Sequence, residues 1–352
     1  MALVSVLLKG RVRVVMPSDL AVLAFAMIVL VSPIIHGTDP SLAFRVVFGS
    51  ILPYFLARLY ILPDATVGRI VGSTALSVGT LYSILLLTKA MRTPWFGRVS
   101  LGGANPIAAA EAVGFGTVAG FVQGITGAAK IKWPAALAGL LCLTAQVMAL
   151  GSRGSVAAVF VTLAIVVVLI PRLRRASLRL AIAAGLITMA IVVNGVGGAA
   201  TRFRLENIIR DPSVVGSQHE IGRLERWSMS LETIAESPIL GAGLGVIYSH
   251  NLFLEIGSAM GLIGLGAILL VLASVRWRRV VRASQRSEAV LLILSLFLFT
   301  FIYRQTSFAL DGHKSMFAFL GLLVAMERNG TQSGGLESTW SHLHGTYQSG
   351  LS

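Results

Sequence analysis

Apolar runs of about the length that crosses a bilayer recur along almost the whole chain, separated by short polar connections. A spanning helix needs about 20 such residues, with roughly 17 to 25 tolerated. Ten runs meet or approach that length: 18–36, 41–61, 66–88, 105–124, 133–150, 154–170, 177–195, 250–273, 288–303 and 311–326. They predict an all-α fold, a polytopic transmembrane helical bundle of about 10 TM helices. Residues 1–326 read as a single transmembrane domain. Residues 327–352, rich in Gly and Ser, read as a disordered cytoplasmic tail. The opening MALVSVLLKGRVRVVMP does not fit a secretory signal, because Lys9, Arg11 and Arg13 follow its apolar run and no A-x-A site comes after; it reads as an interfacial or cytoplasmic lead-in.

One connection differs from the rest. The segment 196–249 is the only long loop between apolar runs, and it carries Glu206, Asp211, Glu220, Glu225, Glu232 and Glu236, six of the chain's 15 acids. Loops of that length are usually functional or disordered. Here Leu224, Trp227, Leu231 and Ile234 recur at helical spacing, which predicts a short amphipathic helix on the membrane surface or against the bundle. Pro238 and the glycines of SPILGAGLG end that helix.

Basic residues orient the bundle. With the first run leaving the cytoplasm, the inner connections hold Arg58 and Arg69, Lys130 and Lys132, Arg172 to Arg179, and Arg276 to Arg286. Together with Lys9, Arg11, Arg13 and Arg328 these outnumber the outer Lys and Arg, five of which lie in the long loop that the positive-inside rule barely weighs. Both termini are therefore expected in the cytoplasm, and the 196–249 loop outside it.

Composition agrees with an integral membrane protein: 55% hydrophobic, 12% charged and a mean hydropathy of +0.81, where soluble domains are about one-quarter charged. The net charge of +14 follows from topology and contact with membrane lipids. No basic stripe with aromatic platforms is present, so no nucleic acid partner is expected. A single cysteine, Cys142, and six histidines without metal-ligand spacing predict no metal site.

The stretch GAGLGVIYSHNLFLEIGSAMGL, 241–262, places His250 and Asn251 at the mouth of an apolar helix. Its glycines have no preceding strand and no Gly-Lys-Ser/Thr, so they read as a tight turn beside a membrane helix and not as a nucleotide loop. A histidine at a helix start is more often an interfacial or capping residue than a catalyst. Asn251 and Glu255 are four apart on one helical face, where either could orient a partner or a sugar. Glu111 lies inside the fourth run, and intramembrane acids usually face a cavity or a partner. Arg304, Asp311, His313 and Lys314 gather at the outer end of the last hairpin, where they could help hold phosphate or glycan but read more readily as a solvated loop.

Three stretches carry a resemblance: GSRGSVAAVFVTLA at 151–164, GRLERWSMSLETIAESPILGAGLG at 222–245 and HNLFLEIGSAMGLIGLG at 250–266. In order and spacing they resemble the bacterial O-antigen ligase and O-antigen polymerase family of polytopic membrane glycosyltransferases. GGANPIAAAEAVGFG at 102–116 resembles an Asn-Pro helix start in such proteins. Members commonly have about twelve helices, two more than the ten runs here. The resemblance implies a GT-C-like bundle in the bacterial inner membrane whose active site faces the periplasm. It implies transfer of a glycan from a polyprenyl-diphosphate carrier to the hydroxyl of a glycolipid, glycan or protein acceptor, with no metal and no cofactor. Polysaccharide-assembly proteins are the implied partners.

Position by position, the resemblance makes His250 the catalytic residue and Arg153 and Arg223 the groups that hold the diphosphate, with Arg226 as the neighbouring alternative. The residue types suit those roles. Guanidinium groups match phosphate oxygens bidentately and stay charged at any relevant pH. A neutral imidazole, with an ordinary pKa of about 6.5, can accept a hydroxyl proton near neutrality. Asn251, Glu255 and Glu111 are the orienting or acceptor-side candidates. An arginine at a helix end ordinarily snorkels to headgroups, and Arg223 or Arg226 could instead pair with Glu220, Glu225 or Glu232. A polymerase of the same family is an alternative, and two other classes compete: a lipid-linked glycan transporter or flippase, and an assembly scaffold. A transporter would place ionisable residues near the midplane on broken helices in paired repeats, whereas these candidates gather at one face.

Overall fold

A computed structural model describes residues 15–60, 65–92, 101, 105–150, 152–170, 223–307 and 310–327. Every regular element among the described residues is a helix, and the chain is a multi-pass membrane protein. The expected seventh span, the loop before residue 223 and the tail after residue 327 lie outside the described residues, Glu327 itself being helical; the nine other expected spans each coincide with a helix.

In order these are α1 (Pro17–His36), α2 (Pro40–Leu59), α3 (Ala65–Arg92), α4 (Pro106–Thr126), α5 (Ala129–Ala145, prolonged by a π-turn over Gln146–Leu150) and α6 (Arg153–Leu169). After them come α7 (Arg223–Glu236), α8 (Leu252–Ala273), α9 (Trp277–Arg286), α10 (Glu288–Tyr303) and α11, which runs over 314–327. Six helices are long and apolar enough to cross a membrane, and the shorter α6 and α10 complete apolar segments among the described residues.

α10 sits where two apolar cores meet. One core joins α1, α2, α8 and α11, and the other joins α3, α4, α5 and α6; both include α10 side chains. Its sequence EAVLLILSLFLFTFIY is apolar on every face, which is what a helix surrounded by other helices requires. In the second core small residues set the spacing. A Cβ on Gly120 would stand 2.6 Å from the Ala135 carbonyl oxygen and from Gly139 Cα, so α4 and α5 touch backbone to backbone, as membrane helices do when van der Waals packing replaces the hydrophobic effect.

Two parts of the sequence reading change. The basic connection 276–286 is itself a helix, α9, with Val280 and Ser284 buried and its arginines turned outward. Arg276 and Arg279 approach Glu327 of α11 at 3.7 and 3.9 Å, and the Trp277 indole donates to the Leu272 carbonyl at 2.7 Å. Its charge hides it from a search for apolar runs, but a short helix with one apolar face is stable at an interface. The hairpin cluster is only in part a solvated loop: Arg304 and His313 are fully buried, whereas Asp311 is partly exposed and Lys314 exposed.

α8 is broken at Gly261, where φ is 61° and ψ −154°. Helical geometry would have Leu262 and Ile263 donate to the carbonyls of Ser258 and Ala259. Instead their amides donate to Pro238 and Ile239, and those two carbonyls accept from Ala242 and Gly243. The SPILGAGLG turn thus inserts beside the break and satisfies all four groups, which inside a membrane must find protein partners. The approach demands glycine: a Cβ on Gly241, where φ is 74°, would lie 2.4 Å from the Ala259 carbonyl carbon. The tight turn beside a membrane helix read from the sequence is present.

Candidate functional site

The starts of α4, α6 and α8 meet around the C-terminus of α10. Tyr303 donates its hydroxyl to the Ile107 carbonyl at the start of α4, at 3.2 Å. The carbonyl of Arg304 accepts from the Leu252 amide at 3.2 Å, and that of Gln305 accepts from the Asn251 amide group at 3.1 Å. A Cβ on Gly154 would fall 2.5 Å from Thr306 Oγ1, so the first turn of α6 rests on the same segment. Residues 303–306 therefore hold α4, α6 and α8 at one place.

α7 closes the site from above. The indole of Trp227 donates to the Ser249 carbonyl at 3.0 Å, and Arg226 Nη1 donates to the Tyr248 carbonyl at 3.2 Å. The Arg226 guanidinium also lies 5.8 Å from the centre of the Tyr248 ring, within cation–π range. Trp227 and Ile234 face the bundle, Ile234 packing against Gly257 of α8. The other two members of the expected apolar stripe, Leu224 and Leu231, stay exposed, and buried Ser230 takes their place on the inner face.

His250 follows these two clamped carbonyls. Its φ of 56° makes it the only non-glycine residue with positive φ among the described residues, a conformation that costs a side-chain-bearing residue roughly 1–3 kcal/mol and persists only where surroundings impose it. Its ring lies 4.0 Å from the Tyr248 ring, tilted by 47°. Burial, then the charges of Glu255 and Asp311, push the Tyr248 phenol up to about 12, so it stays protonated at physiological pH.

Asn251 caps α8. Its side-chain oxygen accepts from Phe253 and Leu254 at 3.0 and 3.1 Å while its amide reaches Gln305, so it ties the helix start to α10. Glu255 is buried one turn further in, and Oε1 accepts from the Leu310 amide at 2.8 Å. Glu111 is also buried; its Oε1 accepts from Arg304 Nη2 and from the Ser315 hydroxyl, which in turn accepts from Arg304 at 2.9 Å. Of the three orienting candidates, two thus bind the segment 304–310 and the third binds the Arg304 side chain.

Arg153 and Arg223 open α6 and α7, on the elements that converge here; the positions of their side chains lie outside the described residues. Arg304 is the residue that sequence reading undervalued. A lone cation ending an all-apolar run, with an intramembrane acid elsewhere in the chain, is the signal that could have found the pair.

With the geometry in place, the chain can be set beside known proteins. Residues 138–269 match the O-antigen ligase family. The O-antigen ligase segment begins in α5 and ends in α8, and it contains Arg153, Arg223, Arg226, His250, Asn251 and Glu255, with Glu111 outside it. The resemblance read from the sequence is therefore present, and the match supports a membrane glycosyltransferase of ligase type. No curated protein matches. A chain in a solved structure described as "Structural coordination of polymerization and crosslinking by a peptidoglycan synthase complex" has a similar fold, with a TM-score of 0.50 and 16% identity over 89% of this chain and 97% of that one.

Proposed function

We propose that the protein transfers a glycan from a polyprenyl-diphosphate carrier to an acceptor hydroxyl on the extracytoplasmic side of the bacterial inner membrane, in the manner of an O-antigen ligase. The observation that carries the reading is the convergence at 248–252: α7 grips the backbone just before His250, and α10 grips it just after.

In this reaction the His250 imidazole takes the acceptor's hydroxyl proton as the oxygen attacks the anomeric carbon. The bond from that carbon to the carrier breaks, and its electron pair leaves on the diphosphate oxygen. Arg153 and Arg223 hold the diphosphate and offset the charge that develops there. Arg226, bound to the Tyr248 carbonyl, positions the histidine. One direct displacement inverts the anomeric configuration, so a product that retains it would refute the mechanism. Residues 1–326 act as one transmembrane domain with both termini in the cytoplasm.

The test is transfer in vesicles carrying lipid-linked donor on the face where His250 lies. Wild type should transfer, and His250→Ala should lose roughly 100- to 10,000-fold, the usual contribution of a general base. Unimpaired transfer by His250→Ala would return favour to a transporter. Polymerase and ligase versions share the diphosphate grip and base. They separate on what accumulates in cells without the protein: stalled single repeats for a polymerase, long undischarged polymer for a ligase.

A further inference from the structure

A groove of about 710 Å³ opens between α2 and the α10–α11 hairpin. Its wall carries Phe44, Arg45 and Phe48 from α2, Glu111 from α4, and Asp311 and Lys314 from the hairpin. The α2 backbone widens into a π-helix over Arg45–Ile51, a distortion that often accompanies function. Arg45 is 65% exposed and Lys314 is also exposed. The nearest acid, Asp311, stands 3.9 Å from Arg45, beyond hydrogen-bond distance, and Glu111 is held by Arg304 and Ser315. Asp39, just before α2, is also within electrostatic reach of Arg45, so Arg45, Lys314 and Arg304 face Asp39, Asp311 and Glu111, and Lys314 is the cation left for an added anion to share with Arg45.

We propose that this groove is a second lipid site, which takes the phosphomonoester or diphosphate headgroup of a membrane lipid between Arg45 and Lys314. An arginine fork and a lysine point charge together match the oxygens of a phosphate. Below them Phe44, Phe48, Leu52, Leu56 and Leu59 are all exposed along one side of α2, and Phe44 and Phe48 stack at 6.0 Å. Fifteen steps of about 1.5 Å from Phe44 to Leu59 make that apolar track about 22 Å long, more than the roughly 15 Å hydrocarbon depth of one leaflet. The groove is linked to the candidate site through Arg304: Glu111 on its wall binds the Arg304 side chain, and the Arg304 carbonyl binds Leu252, two after His250. That the bound lipid is a substrate rests on the proposed transfer function; that the groove selects phosphate does not.

The experiment places the full chain in phosphatidylcholine nanodiscs with photo-reactive probes bearing a diazirine in the chain: polyprenyl diphosphate, phosphatidic acid or phosphatidylcholine. We expect polyprenyl diphosphate or phosphatidic acid to label the peptide covering 44–59 fivefold or more above phosphatidylcholine, whose phosphate is a diester neutralised by choline. Arg45→Gln with Lys314→Gln should reduce that labelling at least fivefold without lowering the yield of folded protein, since both side chains are exposed. Selective labelling by polyprenyl diphosphate would make the occupant the donor carrier. Selective labelling by phosphatidic acid would make it a two-chain phospholipid or glycolipid on the acceptor side. Equal labelling by all three probes, or labelling untouched by the double substitution, overturns the proposal. His250→Ala should leave labelling intact. A wild type that labels selectively yet transfers no glycan would sink the transferase reading and leave the groove standing.

Discussion

Replacing Glu111 with glutamine would remove a negative charge from beside a guanidinium that is 0% exposed. Removing one partner of a buried ion pair costs about 3–5 kcal/mol, because the remaining charge stays desolvated. Glutamine keeps an acceptor oxygen for Arg304 and Ser315, so about 3 kcal/mol is the appropriate figure. Domains of 150–250 residues lose roughly 2–4 °C of Tm per kcal/mol, and a larger chain sits at the low end, giving a fall of about 6 °C. Thermal unfolding of purified protein in nanodiscs, followed by intrinsic tryptophan fluorescence, reads this directly. Ser315→Ala, which keeps both charges, should lose only about 1 kcal/mol. The double change Glu111→Leu with Arg304→Met should recover most of the loss, since it leaves no orphaned charge. A Glu111→Gln protein within about 1 °C of wild type, or a double variant no better than the single one, would refute the argument that this pair ties α4 to the α10 terminus.

Three further substitutions test the site and its scaffold. His250→Asn suits the left-handed backbone that His250 occupies, so it should keep the wild-type Tm while losing transfer as fully as His250→Ala; a large loss of Tm would mean that the histidine's role is structural. Trp227→Phe deletes the hydrogen bond to Ser249, worth about 1 kcal/mol, and should lower transfer severalfold in the vesicle assay with little change in folded yield. Gly241→Ala would force a Cβ into the α8 backbone at a positive φ, and should sharply reduce the monodisperse protein recovered from membranes; normal recovery would show that the 238–243 insertion yields easily.

Hydrophobic periodicity alone determined the class and nine of the spans that the structure describes. This works because a bilayer allows few ways to satisfy a backbone, so length and apolarity nearly dictate a helix. Motifs resembling a known family singled out Arg153, Arg223 and His250 in the sequence, and the structure puts the first two at the starts of α6 and α7 and the third just before α8; the inner face of the loop helix was legible in part, since only Trp227 and Ile234 of its stripe turn inward. What the sequence could not give was pairing between distant elements. That Arg304 meets Glu111 and that the 238–243 turn fills the break at Gly261 are long-range facts with no local signature. The groove beside Arg45 is of the same kind, since its walls come from α2, α4 and the last hairpin. α9 was hidden for a different reason: a helix rich in arginine has no apolar run to announce it, and only its docking on Glu327 and the bundle reveals which face is buried. Local chemistry wrote the helices into the chain, while desolvation and backbone satisfaction between helices decided which side chains came to share the site.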